Sequence, residues 1–195
     1  MIGVKSAITI WSIIDSTSNE IVDSTKRGIA LMTQFKVGDH AVYPGHGVGK
    51  IHSIESKEIL GTIHMFYSVM ILETGMKIMI PAANIKSVGL RPLISRDEAE
   101  KVVDILKEKN IKIDTQTWNR RHRDYKEKIN TGSVYEIAEV LRDLYVLKTD
   151  KELSFGEKSM LDSAKNLLLK EINLMPEVKE LMNADSEIKA IFDLQ

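Results

Sequence analysis

The sequence predicts an α+β protein: a small Tudor/SH3-like antiparallel β-barrel over residues 35–92, then a compact all-helical domain over residues 93–195. Two observations carry this. Between Phe35 and Pro92, runs of β-branched and aromatic residues are cut by Gly and Pro, the punctuation of short strands and tight turns. After Pro92 the hydrophobic period lengthens from two to about three and a half residues, and Ser-x-x-Glu spacings recur ahead of apolar stripes.

In chain order, VGDHAVYPGHGVGKIHSIE (37–55) sets four glycines and one proline among strand-forming residues. IHMFYSVMILE (63–73), a turn at Glu73-Thr74-Gly75 and MKIMIP (76–81) follow, so about five strands fill 36–90. Ile51 and Ile54 are three apart, out of step with strict alternation, and a bulge or sharp bend is expected beside them. Ser95 and Glu98 have capping-box spacing and open a helix with Val102, Val103, Ile105 and Leu106. Ser133 and Glu136 repeat the device before Val134, Ile137, Ala138, Leu141, Leu144 and Tyr145; Ser154 and Glu157 do so before Met160, Leu161, Ala164, Leu167 and Leu168. Pro176 starts a last helix carrying Val178, Leu181, Met182, Ile188 and Ile191.

Residues 1–34 read differently. MIGVKSAITIWSII has the lysine and short apolar run of a secretory leader, but Asp15 interrupts it and no clean small-residue cleavage site follows. The expectation is an N-terminal extension upstream of a native start at Met32, and a cytoplasmic protein.

Composition excludes several classes. With 43% hydrophobic and 28% charged residues the chain is ordinary for a globular protein, and no apolar run approaches a membrane span. The absence of cysteine removes disulfides, thiolate metal sites and thiol nucleophiles together. A net charge of −1 argues against coating nucleic acid by charge alone. Residues 118–128 are the local exception, with five Lys/Arg against two Asp/Glu, so any DNA contact is local. His40, His46, His52, His64 and His122 form no metal-ligand motif, and Gly45-His46-Gly47-Val48-Gly49 leads into a strand, whereas a phosphate loop needs a helix behind it. No catalytic residue, metal or cofactor is expected, and an enzyme is not the favoured class.

Two stretches point to binding. In GMKIMIP, alternation places Ile78 and Ile80 on one face and Lys77 and Met79 on the other, and Pro81 favours the sheet edge because it cannot donate to a ladder. An edge strand showing Met and Pro is a docking surface for another protein, unless Met79 only caps the barrel under a loop. In TWNRRHRDYKEK (117–128), a helix beginning near Thr117 sets Trp118, Arg121, His122, Tyr125 and Ile129 on one face. Trp118 is then either the first rung of a buried stripe or a wedge for nucleic acid, held in place by arginines on phosphates.

These segments, with FKVGDHAVYPGHGVGKI and TGSVYEIAEVLRDLYVLK…LSFGEKSMLDSAK, resemble the CarD/CdnL family of RNA-polymerase-binding bacterial transcription regulators, with CdnL the nearer branch. The resemblance runs from about Phe35 to about Ile172. It implies a Tudor-like module that binds the RNA polymerase β subunit, with Met79 and Pro81 on the contacting strand. Lys57 stands where some members use an arginine, as does Met79. It also implies a helical domain whose Trp118, Arg120 and Arg121 touch promoter DNA in the minor groove at the upstream edge of the bubble, weakly when the protein is alone. A monomeric, non-enzymatic regulator that stabilises the open promoter complex is the expected function. The alternative is a protein-interaction adaptor on RNA polymerase without direct DNA contact.

Overall fold

A computed structural model describes residues 34–109, 111 and 117–192; the expected extension before Met32 lies outside them. Five strands come first: β1 (His40–Tyr43), β2 (Gly47–Ile59), β3 (Thr62–Ile71), β4 (Lys77–Pro81) and β5 (Arg91–Pro92). They pair antiparallel in the order β4-β3-β2-β1-β5, so β4 lies at one end of the sheet. The fold is α+β, as the change of hydrophobic period predicts. β2 and β3 are longer than expected and extend as a two-stranded ribbon past the reach of β4, which pairs with β3 only from Phe66 to Met70. The expected bulge is present: the β2–β3 register shifts between Ile51 and Ser53, so His52, the extra residue, is exposed beside the buried Ile51.

Gly49 on β2 faces Val69 so closely that a Cβ would lie 2.6 Å from the valine Cγ1, and any side chain there would have to displace Val69. Around this contact Ala41, Val48, Ile51, Tyr67, Val69, Ile71 and Ile80 are buried and form the sheet core.

The helices are α1 (Ile85–Val88), α2 (Arg96–Lys107), α3 (Trp118–Thr131), α4 (Val134–Asp150), α5 (Phe155–Asn173), α6 (Pro176–Ala184) and α7 (Ser186–Phe192). Ser95 with Glu98 and Ser154 with Glu157 form complete capping boxes. Ser133 does not. It occupies the N-cap of α4 without a side-chain bond, because the Thr131 hydroxyl binds the Glu136 carboxylate and accepts the Ser133 amide at 3.2 Å. The helix expected from Pro176 onward is two helices: Asp185 breaks it and caps α7 by accepting the amides of Glu187 and Ile188 at 3.0 and 3.3 Å. The apolar stripes of α2 to α7 meet in one cluster running from Ile94 to Phe192.

Sheet and helices join through a buried carboxylate. Glu171 of α5 is 3% exposed and takes the Arg91 guanidinium of β5 end-on, Nη1 to Oε1 at 2.6 Å and Nη2 to Oε2 at 2.9 Å. Its Oε1 also accepts the Ile94 amide at 2.7 Å, and Arg91 Nε donates to the Gly132 carbonyl at 2.8 Å. Gly132 itself has φ +72°, and a Cβ there would sit 2.9 Å from Pro44 Cγ in the β1–β2 turn. The residues from Val37 onward accordingly form one compact unit.

Removing one partner of a buried charge pair is worse than removing both. Glu171→Ala is expected to destabilise the chain by about 3 kcal/mol, a fall of roughly 10 °C in Tm by circular dichroism. Glu171→Gln, which keeps an acceptor for the Ile94 amide, should lose less.

Candidate functional site

Two surfaces combine apolar and cationic side chains. The first is the outer face at β4. Alternation behaves as expected: Ile80 is buried, Ile78 half-buried, and Lys77 and Met79 exposed, with Met79 at 41%. The structure brings Lys57 of β2 to this strand, its Nζ 3.4 Å from the Met79 sulfur. The same ammonium lies 5.9 Å from the centre of the Phe66 ring and 4.0 Å from the Glu55 carboxylate. The bond from the Ser53 hydroxyl lowers the Glu55 pKa against the effect of desolvation, and Lys57 adds to the lowering. Phe66 pairs in register with Pro81, so Lys57, Phe66, Met79 and Pro81 form one patch. Phe66 is missing from the sequence reading; its signal was its parity with Ser68, the cross-strand partner of Met79.

The second surface lies where α3 and α5 begin. Trp118 is the first residue of α3, and its indole rests on Gly156, where a Cβ would meet Nε1 and Cζ2 at 3.0 Å. His122 closes one edge, ring centre to ring centre 5.2 Å at 65°, and the Arg121 guanidinium carbon lies 5.9 Å from the indole centre. Trp118 is therefore half-buried against the helical core, between the two readings its position allowed. Beside it Phe155 is 89% exposed. Sequence reading missed Phe155, although it falls off the stripe formed by Met160, Leu161, Ala164 and Leu168 and directly follows the capping Ser154.

Arg120, Arg123 and Lys126 are exposed; Arg121 is not. Arg121, which the resemblance pairs with Arg120, is buried in the structure. Its side chain turns with Tyr125 and Ile129 into the core, and its Nη2 binds Glu157 Oε1 at 2.9 Å. Lys151 Nζ reaches the same oxygen at 3.2 Å, while Oε2 accepts the Ser154 amide and hydroxyl at 2.9 and 2.8 Å. Burial by itself raises the Glu157 pKa; the Ser154 bonds and Lys151 overcome it and hold the carboxyl at about 2. Arg121 ties α3 to α5 and supports the indole from beneath.

Family models match both halves of the chain: the CarD-like/TRCF RID domain over residues 35–94 and the CarD C-terminal domain over 101–188. YdeB of Bacillus subtilis (strain 168), named as a candidate transcription factor, is 36% identical over 154 residues, covering 75% of this chain and 95% of that protein. The chain belongs to the CarD family. Among solved structures, the CdnL N-terminal domain from Myxococcus xanthus is 55% identical over 33% of this chain and 90% of its own, with a TM-score of 0.28. The 72-residue N-terminal domain of Myxococcus xanthus CarD is 34% identical over 30% of this chain and 79% of its own, with a TM-score of 0.27. Membership of the CarD family places the chain in transcription regulation associated with RNA polymerase, a family of transcription factors and not of enzymes. Among the described residues no group of three or more His, Asp or Glu is placed to hold a metal ion, and no helix is long and apolar enough to cross a membrane.

The Glu157 carboxyl has a testable consequence. Because its folded pKa lies below the ordinary glutamate value, its stabilisation is complete above about pH 4.5 and is lost as pH falls towards about 2. Its ionisation is worth roughly 3 kcal/mol. Glu157→Gln is expected to lower stability at neutral pH and to flatten the pH dependence between about 5 and 2 in urea titrations.

Proposed function

We propose that the chain bridges the RNA polymerase β subunit and promoter DNA, and thereby stabilises the open promoter complex. The β4 face is the polymerase anchor: Met79 and Pro81 supply apolar contact, Lys57 a charge beside them, and β4 an open edge for pairing. The α3/α5 surface is the DNA contact. Trp118 and Phe155 flank Gly156, and Arg120 and Arg123 lie within two turns of the indole. This pairing of a seated indole and an exposed phenyl ring with exposed arginines that make no ion pair among the described residues is the observation that carries the reading.

Rings inserted at a base step favour melted or distorted DNA over the closed duplex, and a ligand shifts only an equilibrium whose two states it binds differently. With about two to four phosphates neutralised, the salt slope is roughly −2 to −4, that of a weak free binder. Tethering to polymerase raises the effective concentration to the order of millimolar, at which weak contacts suffice. Arg120 carries the phosphate role that the resemblance divides between Arg120 and Arg121. The adaptor reading draws support from the half-burial of Trp118 and the pairing of Arg121, and differs in leaving DNA untouched.

Trp118→Ala and Phe155→Ala should each shorten the open-complex lifetime by roughly tenfold while polymerase pull-down is unchanged. An unaltered lifetime in both would favour the adaptor. Met79→Asp should abolish polymerase association with the circular dichroism spectrum intact, and retained association would move the anchor elsewhere.

A further inference from the structure

Arg121 has a second unused feature. Its residue is 9% exposed, its Nη2 is committed to Glu157, and its Nε–H has no acceptor among the described residues. A buried donor left unpaired gives up its hydration with nothing in return, so it calls for a partner. Arg121 also lines a cavity of about 970 Å³ between α2, α4 and α7, separate from the groove that holds Phe155. Leu106, Tyr145, Val146, Leu147 and Ile191 give it an apolar floor beside the charged side chains of its rim, and its volume lies in the range of small-molecule sites.

Charge narrows the chemistry. Arg121 and Lys151 both bind the same oxygen of Glu157, whose other oxygen is taken by Ser154, so two cations share one carboxylate. Lys109, also at the cavity, is matched by Glu187 at 3.0 Å. Asp150 lines the rim but is solvent-exposed, where water and salt screen it; Arg121 is enclosed. The donors left over are an arginine N–H, which takes only acceptors, and a half-exposed ammonium.

We propose that this cavity binds a small organic anion, an apolar or aromatic body ending in a carboxylate, sulfonate or phosphate that accepts from Arg121 and Lys151. A neutral molecule of the same body lacks the charge-assisted bonds and binds more weakly. The proposal stands apart from the polymerase reading, because its test needs neither polymerase nor DNA.

The full chain is titrated with 8-anilinonaphthalene-1-sulfonate and, in parallel, with its uncharged relative N-phenyl-1-naphthylamine. The sulfonate should saturate one site about tenfold more tightly than the neutral probe. Lys151→Met should weaken the sulfonate by about tenfold and leave the neutral probe unchanged. Ala190→Trp places bulk from an exposed wall position of α7 and should exclude both probes without disturbing the core. Absence of saturable binding, equal affinity for the two probes, indifference to Lys151→Met, or retention of both probes by Ala190→Trp would each overturn the proposal.

Discussion

The Glu171 carboxylate holds the molecule together. It sits in the last turn of α5, almost sealed from water, and is acceptable there only because the Arg91 fork and the Ile94 amide occupy both its oxygens. Arg91 belongs to β5, the strand that closes one end of the sheet, and Ile94 is the first residue of the helical core. One ion pair therefore fixes the end of the sheet, the start of the helical cluster and, through Arg91 Nε on the Gly132 carbonyl, the turn between α3 and α4. The proposed polymerase-facing surface precedes Arg91 in the chain and the proposed DNA-facing surface lies between Arg91 and Glu171, and a rigid bridge needs their separation to be set.

A second charge pair does comparable work locally. Arg121 and Glu157 join the first turns of α3 and α5, and the indole of Trp118 is laid on Gly156 beside them. The missing Cβ of Gly156 and the inward turn of Arg121 together decide how much of the ring is presented. In the wedge role proposed above, a ring held on one side keeps less rotamer freedom to lose when the other side meets a base.

Much of the architecture was legible. The switch of hydrophobic period placed sheet before helices, the Ile51–Ile54 spacing announced the bulge, and two of three Ser-x-x-Glu signals became complete capping boxes. These succeed because they are local: strand alternation, helix stripes and caps depend on residues within four positions of one another. The failures have equally specific causes. Ser133 lost its cap to Thr131, a hydroxyl from the preceding helix that the Gly132 turn brings to Glu136. The tail helix was broken by Asp185, whose carboxylate caps α7 and also binds Lys107 from α2.

The sequence by itself determined the elements, the exposed face of β4, the helix that starts at Thr117 and the cationic character of its first turns. Tertiary structure alone decided which cations remain free. Arg120 and Arg121 are neighbours in the chain, yet a helix turns each residue by about 100°, and only the docking of α5 places Glu157 against one of them. The same docking left Phe155 in solvent, and the pairing of β2 and β4 on either side of β3 set Lys57 beside Met79, a contact between residues far apart in the chain that no local periodicity encodes.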